Sequence, residues 1–214
     1  DRLRLTAINA EDNHKFILSS GIANATLETS YPINEVKNTL QAFAHIYFPT
    51  LVHDAPTHTL NALADKKNGF LKAHLTTYRT YNITKLLIPN VFIAPNCNID
   101  LAISDDHNMD KLEANIPFFG IRNKMFIYNL DVNGNTSGSE HIKLAVAADS
   151  TVVVLGKSTI ALKEVDMDAQ AHDDTISYQV NWRDKFNTGS SRSQLSGIAD
   201  VSNPNDIVFN LINS

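Results

Sequence analysis

A chain of 214 residues is long enough for one domain with its own core, or for two small ones, and one is the simpler arrangement. A hydrophobic fraction of 43% and a charged fraction of 19% exclude a disordered or fibrous chain. With a net charge of -5 and 18 Lys and Arg that never form a basic run, the chain lacks the electrostatic footprint of a nucleic-acid binder.

Cys97 is the one cysteine, so neither an intrachain disulfide nor a thiolate metal cluster is expected, and a buried free thiol is. Pro89, Asn90, Pro95 and Asn96 break the most apolar stretch before it reaches the roughly 18 residues that span a bilayer, so membrane insertion is not expected. The first residue is Asp1, with no Met and no signal-like segment, which reads as a processed or trimmed terminus. Asn is the commonest residue, and with abundant Thr, Ser and Asp it favours turns and strand ends over helix interiors. Three Asn-x-Ser/Thr sequons, at Asn24, Asn82 and Asn135, are expected by chance in so Asn-rich a chain.

Taken in chain order, Arg2 to Ile8 and Lys15 to Thr29, the latter broken at Gly21, read as strands. Ile33, Val36, Leu40, Phe43, Ala44 and Tyr47 then recur at helical spacing between Pro32 and Pro49, predicting an amphipathic helix over about 33–48. A shorter helix is predicted from Pro56 to Lys67, with Asp54 as cap and Gly69 just beyond its end. Everything downstream reads as strands: Phe70 to Tyr81, Lys85 to Ile88, Val91 to Ala94, Ile99 to Ile103, Lys124 to Val132, His141 to Ala147, Thr151 to Leu155, Thr159 to Val165, Thr175 to Trp182 and Ile207 to Leu211. Asn133-Gly134 predicts a hairpin turn, Asp149-Ser150 and Gly156-Lys157 two more, and 187–205 a long polar loop leading into a C-terminal arm over about 187–214. The expected fold is a single mainly β domain over 1–214, an antiparallel sandwich or jelly roll with one or two helices in the segment 33–67, the alternative being α+β.

The motifs that carry chemistry are missing or broken. GxGxxG and GxxxxGK[ST] do not occur, and Gly134-Asn135-Thr136-Ser137-Gly138 places its serine one position late for a nucleophile elbow. His53 and His58, flanking Asp54, are five apart, about 140° round a helix, where paired ligands need the i, i+4 face. Asp105-Asp106-His107 and His172-Asp173-Asp174 are acidic loops able to take a divalent cation, although such loops are most often solvated turns. Asp131-x-Asn133-x-Asn135 imitates the start of an EF-hand loop but carries Thr136 where Gly is needed and Ile142 where the bidentate Glu belongs. Trp182 beside Arg183, and Tyr78 with Tyr81, could line a groove; rim or core packing is the commoner fate of such residues. No catalytic, cofactor-binding or metal-ligating residue is therefore assigned, and no cofactor is expected.

The block from Ile160 to Phe186, a long strand with the acidic turn Asp173-Asp174 and the closing Trp182-Arg183, resembles the C-terminal strands of some phage capsid proteins over about an eighth of the chain. That resemblance, with the abundance of strands and the lack of a catalytic constellation, leads to the expectation of a non-enzymatic assembly protein, a coat or shell subunit of a virion whose partners are copies of itself or other structural subunits. The alternatives are a secreted or surface β-sandwich that binds carbohydrate or protein, and a metal-assisted hydrolase built on His53, Asp54 or the Asp-His loops.

Overall fold

A computed structural model describes residues 2–10, 13–50, 52, 69–79, 90–104, 111–137, 141–184, 192–203 and 206–212. Strands β1 (Arg4–Ala10), β2 (Asn13–Ser19) and β3 (Ala23–Thr29) lead through a 3-10 turn (Ile33–Glu35) into helix α1 (Val36–Tyr47). Then come β4 (Phe70–Thr77), β5 (Val91–Ile93), β6 (Asn98–Ser104), β7 (Lys111–Ile121), β8 (Met125–Ser137), β9 (His141–Leu155), β10 (Ser158–His172), β11 (Thr175–Asp184), β12 (Ser193–Asp200) and β13 (Val208–Ile212). All belong to one antiparallel sheet in which neighbours in sequence are neighbours in space, except that β5 lies beside β7 at the far end of the edge that β6 occupies.

The class is the expected one, mainly β and antiparallel with a helix in the N-terminal third. The strands form one meandering sheet, however, and not the two packed sheets of a sandwich or the crossed connections of a jelly roll. Helix α1 follows from its sequence: Val36 and Phe43 pack on the cluster of Tyr31, Ala42, Leu71 and Ile103, Thr39 donates to the Glu35 carbonyl at 3.0 Å, and Phe48 closes the last turn on Ala44 before Pro49. The second predicted helix, Pro56 to Lys67, and the strand Lys85 to Ile88 lie outside the described residues.

Three expectations fail and one strand, β7, is unannounced, each for an identifiable reason. Asn133 and Gly134 are interior residues of β8, paired with Ala145 and Leu144, and no hairpin turns there. Gly134 fills a close approach between strands: a Cβ there would meet Leu112 at a tight 3.2 Å and Leu144 at 3.5 Å. Asp149 and Ser150 likewise sit inside β9, where Asp149 accepts a 2.7 Å hydrogen bond from Asn129. The unannounced strand is β7, which Pro117 hides. Its missing N–H falls between the residues of β7 that pair with β6 and those that pair with β5, opposite Asn129, whose φ of 50° breaks the ladder at that point. The third failure is β12, in the supposed loop: Leu195, Gly197 and Ala199 pair with Val180, Tyr178 and Ile176, and the alternation that would announce the strand is blurred by Ile198 on its other face. Gly156 does turn the chain as expected, with a φ of 63°.

Gly197 also generates a test of packing. A Cβ there would come within 2.5 Å of the Asn210 carbonyl oxygen and 2.6 Å of the Tyr178 hydroxyl. Gly197→Ala should therefore lose about 1–3 kcal/mol in urea denaturation, whereas Gln194→Ala, on the exposed side of β12, should stay within about 0.5 kcal/mol of the parent.

Candidate functional site

Strand register sorts the side chains. Residues opposite one another in adjacent strands share a face, so the pairings can be followed sideways across the sheet. One such row runs Ala7, Phe16, Leu27, Ala73, Leu101, Leu112, Gly134, Leu144, Ala169, Tyr178, Gly197, Leu211, from β1 to β13 without a charge. The row beside it runs Leu5, Leu18, Ala25, Leu75, Ile99, Ala114, Val132, Val146, Met167, Val180, Leu195, wholly apolar. The opposite face carries Thr26, His74, Asp100, Glu113 and Asn133 in one row and the alternating charges Lys15, Glu28 and Lys72 in another.

Helix α1 lies on the apolar face, and the sheet bends round it. Phe43 and Leu101 of β6 both pack on the buried cluster, and together they line a cavity of about 70 Å³ with Leu112 of β7, Gly134 of β8 and Ile142 of β9. One ring can approach four consecutive strands only if their shared face is concave, because flat strands lie about 4.8 Å apart. Just past Tyr47, the chain is clasped to the β10–β11 turn: Thr50 N–H donates to both carboxylate oxygens of Asp174 at 3.2 and 3.1 Å, and Asp174 N–H donates to the Tyr47 carbonyl at 3.4 Å. Asp173 and Asp174 hold φ of 44° and 58° in that turn, and the Asp174 carbonyl accepts from Val201 at 2.8 Å. The helix thereby bridges one end of the trough, from the β4–β6 region to β11.

Away from the helix no described element covers the trough. Leu71, Ile103 and Ala148 are buried, but most inner-face side chains from β2 to β11 are only half-buried, and Leu5, Tyr128, Leu195, Phe209 and Leu211 are exposed. At the end remote from α1, Phe118 stacks on Phe126 at 6.2 Å and meets Tyr128 at 5.0 Å, all three on the inner face.

No family model, curated protein or solved structure matches this chain.

The residues singled out in the sequence do not converge. His53, Asp54, His58, Asp105, Asp106, His107 and Tyr81 lie outside the described residues. His172 stacks on His141 directly across the β9–β10 ladder, centroids 4.5 Å apart, with Nε2 3.2 Å from Asp173, while Asp174 points into the α1 clasp. Asp131, Asn133 and Asn135 all lie on the outer face of β8 and cannot close round an ion as a loop does. Among the described residues no group of three or more His, Cys, Asp or Glu is placed to hold a metal, and no helix is long and apolar enough to cross a membrane. Trp182 lies near the end of β11, half-buried on the inner face, and Tyr78 accepts a 3.0 Å hydrogen bond from Asn24.

Sequence spacing gave no sign of one polar arrangement on the outer face. His74 Nδ1 donates to Asp100 at 2.6 Å and its Nε2 lies 3.1 Å from the Thr76 hydroxyl, the outline of a base beside a nucleophile. The hydroxyl donates to Asn98 at 2.9 Å, so its proton is directed away from the imidazole, and His74 and Asp100 are both about half exposed. It is a surface hydrogen-bond ladder. Cys97 is buried as expected: its thiol donates to the Ala94 carbonyl at 3.0 Å and its N–H to the Thr77 hydroxyl. Burial raises the Cys97 pKa above the ordinary thiol value, partly offset by Thr77.

Two outcomes follow. Asp174→Ala should cost about 1–3 kcal/mol and abolish hydrogen-exchange protection of the Thr50 amide, because that donor loses its acceptor. Since the folded thiol titrates higher than the unfolded one, its contribution to stability is complete below the ordinary thiol pKa and is lost as pH rises through the raised value. A thiol reagent at pH 8 should accordingly label Cys97 slowly in buffer and fast in denaturant; equal rates would mean that the thiol is not buried.

Proposed function

We propose that the chain is a carrier or conduit for apolar chains, which lie along the inner face of the curved sheet. The observation behind this reading is the imbalance between apolar area and cover. At about 4.8 Å per strand the sheet spans roughly 50 Å, and a band two rows deep offers several hundred Å² of apolar surface. A helix of this length covers a strip about 18 Å long. It is the one helix among the described residues. Monomers rarely leave a contiguous apolar patch of more than a few hundred Å² without a use for it.

The chemistry of the face narrows the ligand. With no charge and few hydrogen-bonding groups in either row, it offers nothing to orient a sugar or a nucleotide. An aliphatic tail asks for nothing else. Each buried methylene contributes about 0.8 kcal/mol, so eight of them against this face give roughly 6 kcal/mol, enough for binding without any polar contact. The alternation also suits a trough that must remain in water, since the outer face is mostly polar in its middle rows, with Thr26, His74, Asp100, Glu113 and Asn133 in one of them.

The bare sheet edges favour a second reading, assembly of copies as in a coat or shell. Both outermost strands expose apolar side chains: Leu5 and Ile8 on β1, and Val208, Phe209, Leu211 and Ile212 on β13. Light scattering on the eluting protein separates the two, because edge pairing makes the mass rise with concentration, whereas ligand binding leaves it fixed.

The carrier reading is tested with the uncharged fluorophore N-phenyl-1-naphthylamine. Ala114→Trp, which fills the inner face, should weaken binding about tenfold or more, and Ala145→Trp, on the outer face, should leave it unchanged. Equal effects, or no fluorophore binding by the parent protein, would refute the reading.

A further inference from the structure

The trough has two unlike ends, and their charges differ in sign. At the α1 end, Asp173 and Asp174 turn β10 into β11 while Asp200 and Asp206 flank the connection from β12 to β13. At the other end, the β7–β8 turn carries Arg122 and Lys124, and the β9–β10 turn carries Lys157. The two turns are joined, because Val154 N–H donates to the Lys124 carbonyl at 2.8 Å. Arg122 and Lys124 stand one residue beyond the last paired residues of these strands, Ile121 and Met125, next to the inner-face aromatics Phe118 and Phe126. Phe92, paired with Gly120 and so also on the inner side, lies under the Arg122 guanidinium at 5.5 Å. The nearby acids Glu164 and Asp166 are engaged by Arg183 and Arg192 at 3.1–3.3 Å, so they do not cancel the charge of the turns.

We infer that the open end of the trough takes the anionic headgroup of an amphiphile, held by Arg122, Lys124 and Lys157, while its chain runs inward over Phe118 and Phe126 towards α1. The assignment rests on the apolar-chain reading and adds to it a direction and a headgroup charge. An aromatic step between cations and aliphatic surface matches the order of an amphiphile's own parts. A cationic headgroup is disfavoured at this end by the same charges, and an anionic one at the other end by its aspartates.

The test displaces the uncharged fluorophore from the full chain at low ionic strength, with palmitate and with hexadecanol as competitors of equal chain length. Palmitate should win by about fivefold to tenfold, and added salt should erase the difference. Arg122→Glu/Lys124→Glu/Lys157→Glu should lose or reverse that preference while still binding the fluorophore; should the triple variant fail to fold, Arg122→Gln and Lys124→Gln singly should each reduce it. Equal competition by the two ligands on the parent protein, or a preference that survives these substitutions, would overturn the headgroup assignment and leave the apolar-chain reading standing. Failure of the fluorophore to bind the parent would overturn both.

Discussion

Strict two-residue alternation, held in register from one edge of the sheet to the other, is the constraint on which the rest of the structure depends. A slip of one residue between any two strands would carry every side chain beyond it to the opposite face. Leu101 opposite Leu112, or Val132 opposite Val146, would then face solvent, while Asp100 and Asp131 would turn into the trough. The hydrophobic penalty of such a slip grows with the number of strands displaced, so the long central strands fix the register for the short outer ones. The chain can therefore depart from ideal geometry where it must: Asn129 and Glu164 take positive φ, and the β10–β11 ladder shifts beside Glu164, without the apolar rows losing continuity.

That same constraint explains which parts of the molecule can be read in the sequence. The helix over 33–48, the strands before it and the mainly β class follow from local periodicity, and local periodicity is what a sequence displays. Turn chemistry misled where tertiary packing overrode it. Asn133-Gly134 has the composition of a tight hairpin, yet the glycine serves a different need, space beneath Phe43 between Leu112 and Leu144. Pro117 has the composition of a strand breaker, yet it sits where neither neighbour asks for its N–H. Short-range rules assign these residues by their backbone preferences, while the sheet uses them for the side chain or donor they lack.

The candidate site was legible only in its parts. Each apolar residue of the inner rows is visible as one half of an alternation, but that the rows line up across the whole sheet depends on pairings many residues apart. The sequence expectation of groove-lining aromatics named Trp182, Tyr78 and Tyr81 because they stand at strand ends. The structure adds Phe118, on a strand that Pro117 hides, and Phe126 and Tyr128, which lie inside the predicted strand Lys124 to Val132 and meet Phe118 only through the β7–β8 pairing. The acidic turn at Asp173-Asp174 was noticed for its carboxylates, and its role is to anchor a helix.

An apolar sheet face that is only partly covered carries a cost in water, and the clasp at Asp174 shows how the fold limits it. Placing α1 transversely, at one end, lets a short element touch many strands, because its side chains reach those strands at nearly the same level. A helix laid along the strands would cover two or three of them from end to end and leave the curvature unsupported. The transverse arrangement fixes the curve with the fewest residues and leaves the length of the inner face beyond the helix continuous. Most of the fully buried side chains, Tyr47, Leu71, Thr29 and Thr39, lie at the α1 end, with Cys97 buried at the other, and the inner-face residues between are only half-buried. A ligand there would supply the second layer that a sheet of this kind otherwise needs.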